Sequence, residues 1–171
     1  MLFRFDEIPD PWTRCMMKGS ALVRHHSELA AYARPGNVQL TIFHIPSFVD
    51  ATGWTIRKLE KNSGFELQRV VWHQHEDSFR DKEAPDFAGP TISTATAMLD
   101  SDWWQERYAM LRDMRIPLIV PCQWVTICDG DTTGLEIGGL QIEWGNESPE
   151  GWEMLVEWTK SCMEHFQTLL S

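Results

Sequence analysis

The stretch Gly134-Leu135-Glu136-Ile137-Gly138-Gly139-Leu140-Gln141-Ile142-Glu143-Trp144 decides the fold. Apolar and polar residues alternate on both sides of a Gly-Gly pair, the pattern of a half-buried hairpin closed by a two-residue turn. Such a turn sets Ile137 opposite Leu140 and Leu135 opposite Ile142. Glu136 then faces Gln141 on the other side, because successive strand residues point to opposite faces. One step upstream, Gln123 to Cys128 reads as a third strand, joined through a turn at Asp129-Gly130-Asp131. That turn sets Val125 opposite Leu135 and Ile127 opposite Thr133, so one oily face spans three strands. Trp124 then falls on the polar face beside Glu136.

Downstream lies the clearest helix. Ser148 is expected to cap it, Pro149 to take the first helical position, and Glu150 to complement the helix dipole. Trp152, Leu155, Val156, Thr159, Cys162, Met163, Phe166, Leu169 and Leu170 follow the 3, 4 spacing of a buried stripe. Glu150, Glu153, Glu157, Lys160 and Glu164 form the wet stripe opposite. Burying each large apolar side chain contributes roughly 1.5–3 kcal/mol before entropy is subtracted. The helix is therefore expected to be integral to the core.

Further upstream the elements are shorter. Residues 1–19, with Pro9, Pro11 and Gly19, read as an irregular N-terminal arm. Ser20 is a plausible cap for a helix from Ala21 to about Ala33, stopped by Arg34-Pro35-Gly36. Val38 to Ile45 is rich in β-branched and aromatic residues and reads as a strand. Trp54 to Leu59 and Phe65 to His73 read as a hairpin around Asn62-Ser63-Gly64, in a register that sets Trp54 opposite Trp72 and Ile56 opposite Val70. Residues 75–90 are polar, broken by Pro and Gly, and read as a long surface connection with room for a helical turn. Asp100 or Ser101 can cap a helix from Asp102 to about Met114, with Trp104, Tyr108 and Leu111 on one stripe. Together these predict an α+β fold: a mainly antiparallel sheet of about five to six strands, in two hairpin or meander units, packed in two layers on about three helices. One sheet face is covered and the other partly wet. Residues 20–171 are expected to form a single domain.

Composition agrees. The chain has 171 residues, 43% of them hydrophobic and 23% charged, which is ordinary for a globular domain. Net charge is −10. Residues 121–171 hold nine acidic side chains against one basic, Lys160. So negative a surface repels phosphate backbones, which argues against a nucleic-acid partner. No apolar run approaches the ~20 residues of a membrane span, and the start shows no secretory signal. Cys15, Cys122, Cys128 and Cys162 form no CxxC pair and read as free, mostly buried thiols, pointing to a cytoplasmic location.

Motifs for chemistry are sparse. In His73-Gln74-His75-Glu76-Asp77, alternate residues of a strand would share a face, so His73, His75 and Asp77 are candidate metal ligands. The string is similar to the HxHxDH of metallo-β-lactamase-like hydrolases, but residue 78 is Ser. Further ligands would have to come from His25, His26, His44 or His165, which no spacing singles out. His25-His26 reads as a surface or boundary pair. Asp129-Gly130-Asp131 lacks the rest of a calcium loop. There is no GxSxG, GxxxxGK[ST] or GxGxxG, Cys122 has no indicated His partner, and nothing calls for a cofactor. Nine tryptophans are many for this length. Trp103 and Trp124 are the two whose side the pattern leaves open, and indoles concentrate at binding hot spots.

The run Ile116-Pro117, Asp129-Gly130-Asp131-Thr132-Thr133-Gly134-Leu135-Glu136-Ile137, Ile142-Glu143-Trp144 and Pro149-Glu150-Gly151-Trp152-Glu153-Met154-Leu155 resembles a pattern in small bacterial proteins, some of them immunity or effector-associated proteins encoded near toxins. Asp131 interrupts the Asp-Gly-Thr of that pattern. The resemblance covers about a third of the chain. It implies a binding role, and no catalytic residue is carried over. The leading expectation is thus a non-enzymatic, immunity-like bacterial protein that binds another protein, plausibly a basic one. Trp103, Trp124, Asp129, Asp131 and Glu136 are the candidate contacts. A metal-dependent hydrolase at His73, His75 and Asp77, and a small-molecule binding domain, are the alternatives.

Overall fold

The computed structural model describes residues 10–26, 36–60, 64–80, 89–117 and 130–171. Its elements run α1 (Pro11–His25), β1 (Asn37–Ile45), β2 (Ala51–Lys58), β3 (Phe65–Trp72), α2 (Gln74–Phe79), β4 (Ile92–Leu99), α3 (Ser101–Asp113), β5 (Thr132–Ile137), β6 (Leu140–Trp144) and α4 (Glu153–Leu169). The six strands form one antiparallel sheet in the order β4-β3-β2-β1-β5-β6. This is the expected α+β class with an open sheet.

The β5–β6 hairpin has the predicted register: Ile137 pairs with Leu140, Glu136 with Gln141 and Leu135 with Ile142. Gly138 and Gly139 sit at φ +56° and +82°, which a tight turn of this hand requires and which side chains resist. The predicted third strand of that meander, Gln123 to Cys128, lies outside the described residues, as do Cys122 and Asp129. The second edge of β5 belongs to β1, and Leu135 lies opposite Ile42 where Val125 was expected.

The β2–β3 hairpin corrects the predicted register. Trp54 pairs with Arg69, and Ile56 with Leu67. The slip is three residues, an odd number, so β3 turns over relative to β2. The cause is the turn: Lys58 pairs with Phe65 and Leu59 N donates to Gly64 O, which centres the loop earlier than Asn62-Ser63-Gly64 suggested. Trp54 and Trp72 therefore look to opposite sides of the sheet.

The first helix also differs. It starts at Pro11, with Asp10 accepting from Thr13 N at 2.6 Å, so residues 11–19 are helical where irregular chain was expected. Cys15, Gly19, Val23 and His26 make its buried stripe. Gly19 has no Cβ because one would stand 2.2 Å from the Trp72 ring; the missing methyl lets α1 lie directly on the sheet. The last helix starts later than predicted. Trp152 N donates back to Pro149 O in a separate turn, and α4 begins at Glu153.

The two faces of the sheet carry different loads. On one face Leu40, Ile42, Trp54, Ile56, Phe65, Leu67 and Leu135 pack against Trp104 of α3 and against Leu155, Trp158, Cys162 and Phe166 of α4. On the other, Val23 of α1 meets Phe43, Ala51 and Trp72. Toward both edges that second face is wet: Thr94, Thr96, Met98, Gln141 and Glu143 are exposed. Among the described residues no helix is long and apolar enough to cross a membrane.

Candidate functional site

The HxHxD string is not laid out as a strand. Its residues open α2 instead of continuing a strand, so His73, His75 and Asp77 share no face. His73 stands at the N-cap, with Nδ1 2.8 Å from Asp50 Oδ2 and Nε2 3.0 Å from Ser93 Oγ. His75 is exposed and donates to Phe48 O at 3.2 Å. Asp77 is buried and fully used. It accepts from Trp72 Nε1 (2.8 Å), Thr91 N (2.8 Å) and Thr91 Oγ1 (2.7 Å), and it pairs with Arg80 Nη2 at 2.8 Å. Arg80 also donates to Thr91 Oγ1 and Gly89 O. Asp77 thus ties the end of β3 to α2 and to the approach to β4. Among the described residues no group of three His, Cys, Asp or Glu is placed to hold a metal ion.

Both described thiols are inert. Cys15 lies 3.8 Å from Asp77 Oδ2, and burial, reinforced by that carboxylate, pushes its pKa up to about 11. Burial pushes Cys162 up to about 12. Neither offers a thiolate near neutral pH.

A polar row crosses the second sheet face. Gln141, Glu136, Thr41, Thr55, Gln68 and Thr96, one residue from each strand, are cross-strand neighbours in turn. Thr41, Thr55 and Gln68, in the middle, are buried beside His26, which is fully enclosed and not at a boundary as its sequence suggested. His26 Nδ1 donates to Val23 O (3.3 Å), which leaves Nε2 to accept from the Thr55 hydroxyl at 2.8 Å. Thr55 Oγ1 in turn lies 3.2 Å from Thr41 Oγ1 and accepts its proton. Alongside, Arg57 Nη1 donates to Gln68 Oε1 at 2.7 Å. Burial lowers the His26 pKa to about 4, so the ring is neutral and serves as an acceptor. These groups hydrogen-bond to one another across the strands, which helps fix the register of the sheet.

The open surface lies on the helical layer. Between α3 and α4 runs a groove of about 510 Å³ lined by Arg107, Met110, Met114, Glu153, Met154, Glu157, Trp158 and Ser161. Met154 is 66% and Met110 48% exposed, high values for apolar side chains. The floor is rigid: Trp158 Nε1 donates to Arg107 O at 3.0 Å and locks α4 to α3. The Arg107 guanidinium caps the Trp103 ring at 5.6 Å, and Trp103 stacks on His165 at 3.9 Å with a 22° tilt. Burial, then the Arg107 charge, lower the His165 pKa, keeping the stacked ring neutral. The walls are adaptable, because methionine is unbranched, flexible and polarizable. Glu153 and Glu157, one helical turn apart, stand on one rim; the backbone N–H of Glu153 itself, then Gly151 N at 3.1 Å, hold the Glu153 carboxyl below the usual range. A smaller hollow of about 220 Å³ lies on the other flank of α3, lined by Gln39, Phe65, Trp104, Tyr108 and Arg112 among others.

The expected contact residues do not come together. Trp103 is half-buried on α3, whereas Glu136 belongs to the row on the opposite sheet face and Asp131 sits at a loop, its N bonded to Asn146 Oδ1 at 2.8 Å. Trp124 and Asp129 lie outside the described residues. The groove residues were missed because Met110, Met114 and Met154 looked like ordinary flanks of two amphipathic helices. Only the angle between the helices makes them neighbours. Comparison with protein-family models, with curated proteins and with solved structures finds no match for this chain.

Proposed function

We propose that this is a non-catalytic protein-binding domain, immunity-like in role, whose α3–α4 groove takes up an apolar segment of another protein flanked by basic residues. The observation that carries this reading is the groove itself: three methionines and an indole over a locked floor, with a carboxylate rim. Such a surface suits the apolar face of an amphipathic helix, the mode in which flexible methionines repack around different anchors. The rim supplies steering. Glu153, Glu157 and Glu164 outnumber Lys160 on the wet side of α4, so a basic flank is attracted over the last several ångströms. In this reading the docking face lies on the helical layer, where the sequence had pointed to the hairpins.

The test uses a synthetic amphipathic helix of leucine and lysine titrated by calorimetry. Binding at low salt is expected, weakened steeply by added salt because rim charges are screened. Glu157→Lys is expected to weaken it about tenfold. Binding that ignores both salt and this charge reversal, or no binding at all, contradicts the reading.

A further inference from the structure

β4 is the outer strand at one end of the sheet among the described residues. All eight of its residues pair with β3 in unbroken register. Its sequence, Ile92-Ser-Thr-Ala-Thr-Ala-Met-Leu99, has no charge and no proline. Edge strands normally carry a lysine, a proline or a bulge, or are short, to block further pairing. β4 has none of these, whereas β6 at the other end is shorter and carries Glu143. The hydrogen bond from His73 N to Thr91 O fixes the phase of the ladder. By strand alternation, the N–H and C=O groups of Ile92, Thr94, Thr96 and Met98 then point away from β3. The Met98 side chain is 59% exposed, and Thr94 and Thr96 are exposed too.

We propose that β4 is a self-pairing edge: two copies of the chain join their sheets through antiparallel β4 strands related by a two-fold axis at Ala95. Complementarity sets that centre. With Ala95 on the axis, Ile92 of one copy lies opposite Met98 of the other, and Thr94 opposite Thr96, each pair occurring twice. Apolar meets apolar, hydroxyl meets hydroxyl, and the outward backbone groups find partners. The net charge of −10 opposes any association of two copies, but none of it lies on the strand. Salt therefore strengthens this pairing, the reverse of its effect on the groove.

Sedimentation of the full chain over a range of concentrations and salt tests this. A reversible monomer–dimer equilibrium is expected, reaching twice the chain mass of 19.8 kDa and shifting toward dimer with salt. Thr94→Lys and Thr96→Lys, at exposed positions, should each weaken the dimer at least tenfold while circular dichroism and melting stay unchanged. Glu157→Lys should dimerise normally, which separates this edge from the groove. A chain that stays monomeric throughout, a dimer indifferent to both lysines, or a monomer that instead takes up an unrelated extended peptide along β4 overturns the proposal.

Discussion

The two faces of the sheet solve the same problem with different chemistry. Against α3 and α4 the contact is almost wholly apolar, from Leu40 and Ile42 through Trp104 to Phe166. Against α1 and α2 it is threaded with polar groups: His26, Thr41, Thr55, Arg57, Gln68 and Asp77 are all buried. An oily contact tolerates rearrangement in proportion to the volume lost. A hydrogen-bonded one fails when a single partner is removed, because the remainder stays buried and unsatisfied. The apolar layer should therefore set the depth of the stability well, and the polar layer its dependence on pH and on single-atom changes.

The largest effects should come from deleting a main anchor on either side. Phe166→Ala empties a fully buried site, with an expected loss of about 3–5 kcal/mol in urea unfolding. Asp77→Ala is expected to lose a similar ~3–5 kcal/mol, because Arg80 and Trp72 Nε1 lose the partner that holds them. A near-neutral Asp77→Ala would show that the polar layer is not a structural anchor.

Next in size is pH. His26 has a folded pKa of about 4 against 6.5 when unfolded, so between those values the unfolded chain binds the extra proton. Stability is then fully present above pH 6.5 and falls as pH drops toward 4, by on the order of 3 kcal/mol. His44, also lowered by burial, acts in the same direction. His26→Gln, which keeps an acceptor for Thr55, should flatten that slope in urea titrations at a series of pH values. An unchanged slope would place the pH sensitivity elsewhere. Smallest in stability are the groove variants. Met154→Ala, at an exposed position, should change urea stability by less than about 0.5 kcal/mol while weakening peptide binding.

The same contrast decides what the sequence could reveal. The β5–β6 hairpin was legible because its turn is two glycines and its pattern strictly alternates, so local chemistry leaves one register. The β2–β3 register was not, because a longer loop permits several and both strands are buried on both faces, which erases the alternation. A cap followed by proline was passed over at Asp10-Pro11, where it starts α1, because the neighbouring prolines read as irregular chain, and it misled at Ser148-Pro149, where a separate turn intervenes. β4 escaped notice because serine, alanine and threonine alternate in size more than in polarity. The pairing of β1 with β5 joins segments about ninety residues apart, which no local pattern encodes. For the candidate site, the acidity of α4 was plain in the sequence. The methionine groove depends on how two helices lie together, and the histidine string read as a site only while it was taken for a strand.

The most direct test of the central claim is nuclear magnetic resonance of methyl-labelled methionine during titration with the leucine–lysine helix. The Met110, Met114 and Met154 methyls are expected to move together, saturating at one equivalent, while Met98 on β4 and Met17 on α1 stay fixed. Shifts confined to Met98 or Met17, or none at the three groove methyls while peptide binds, would contradict it.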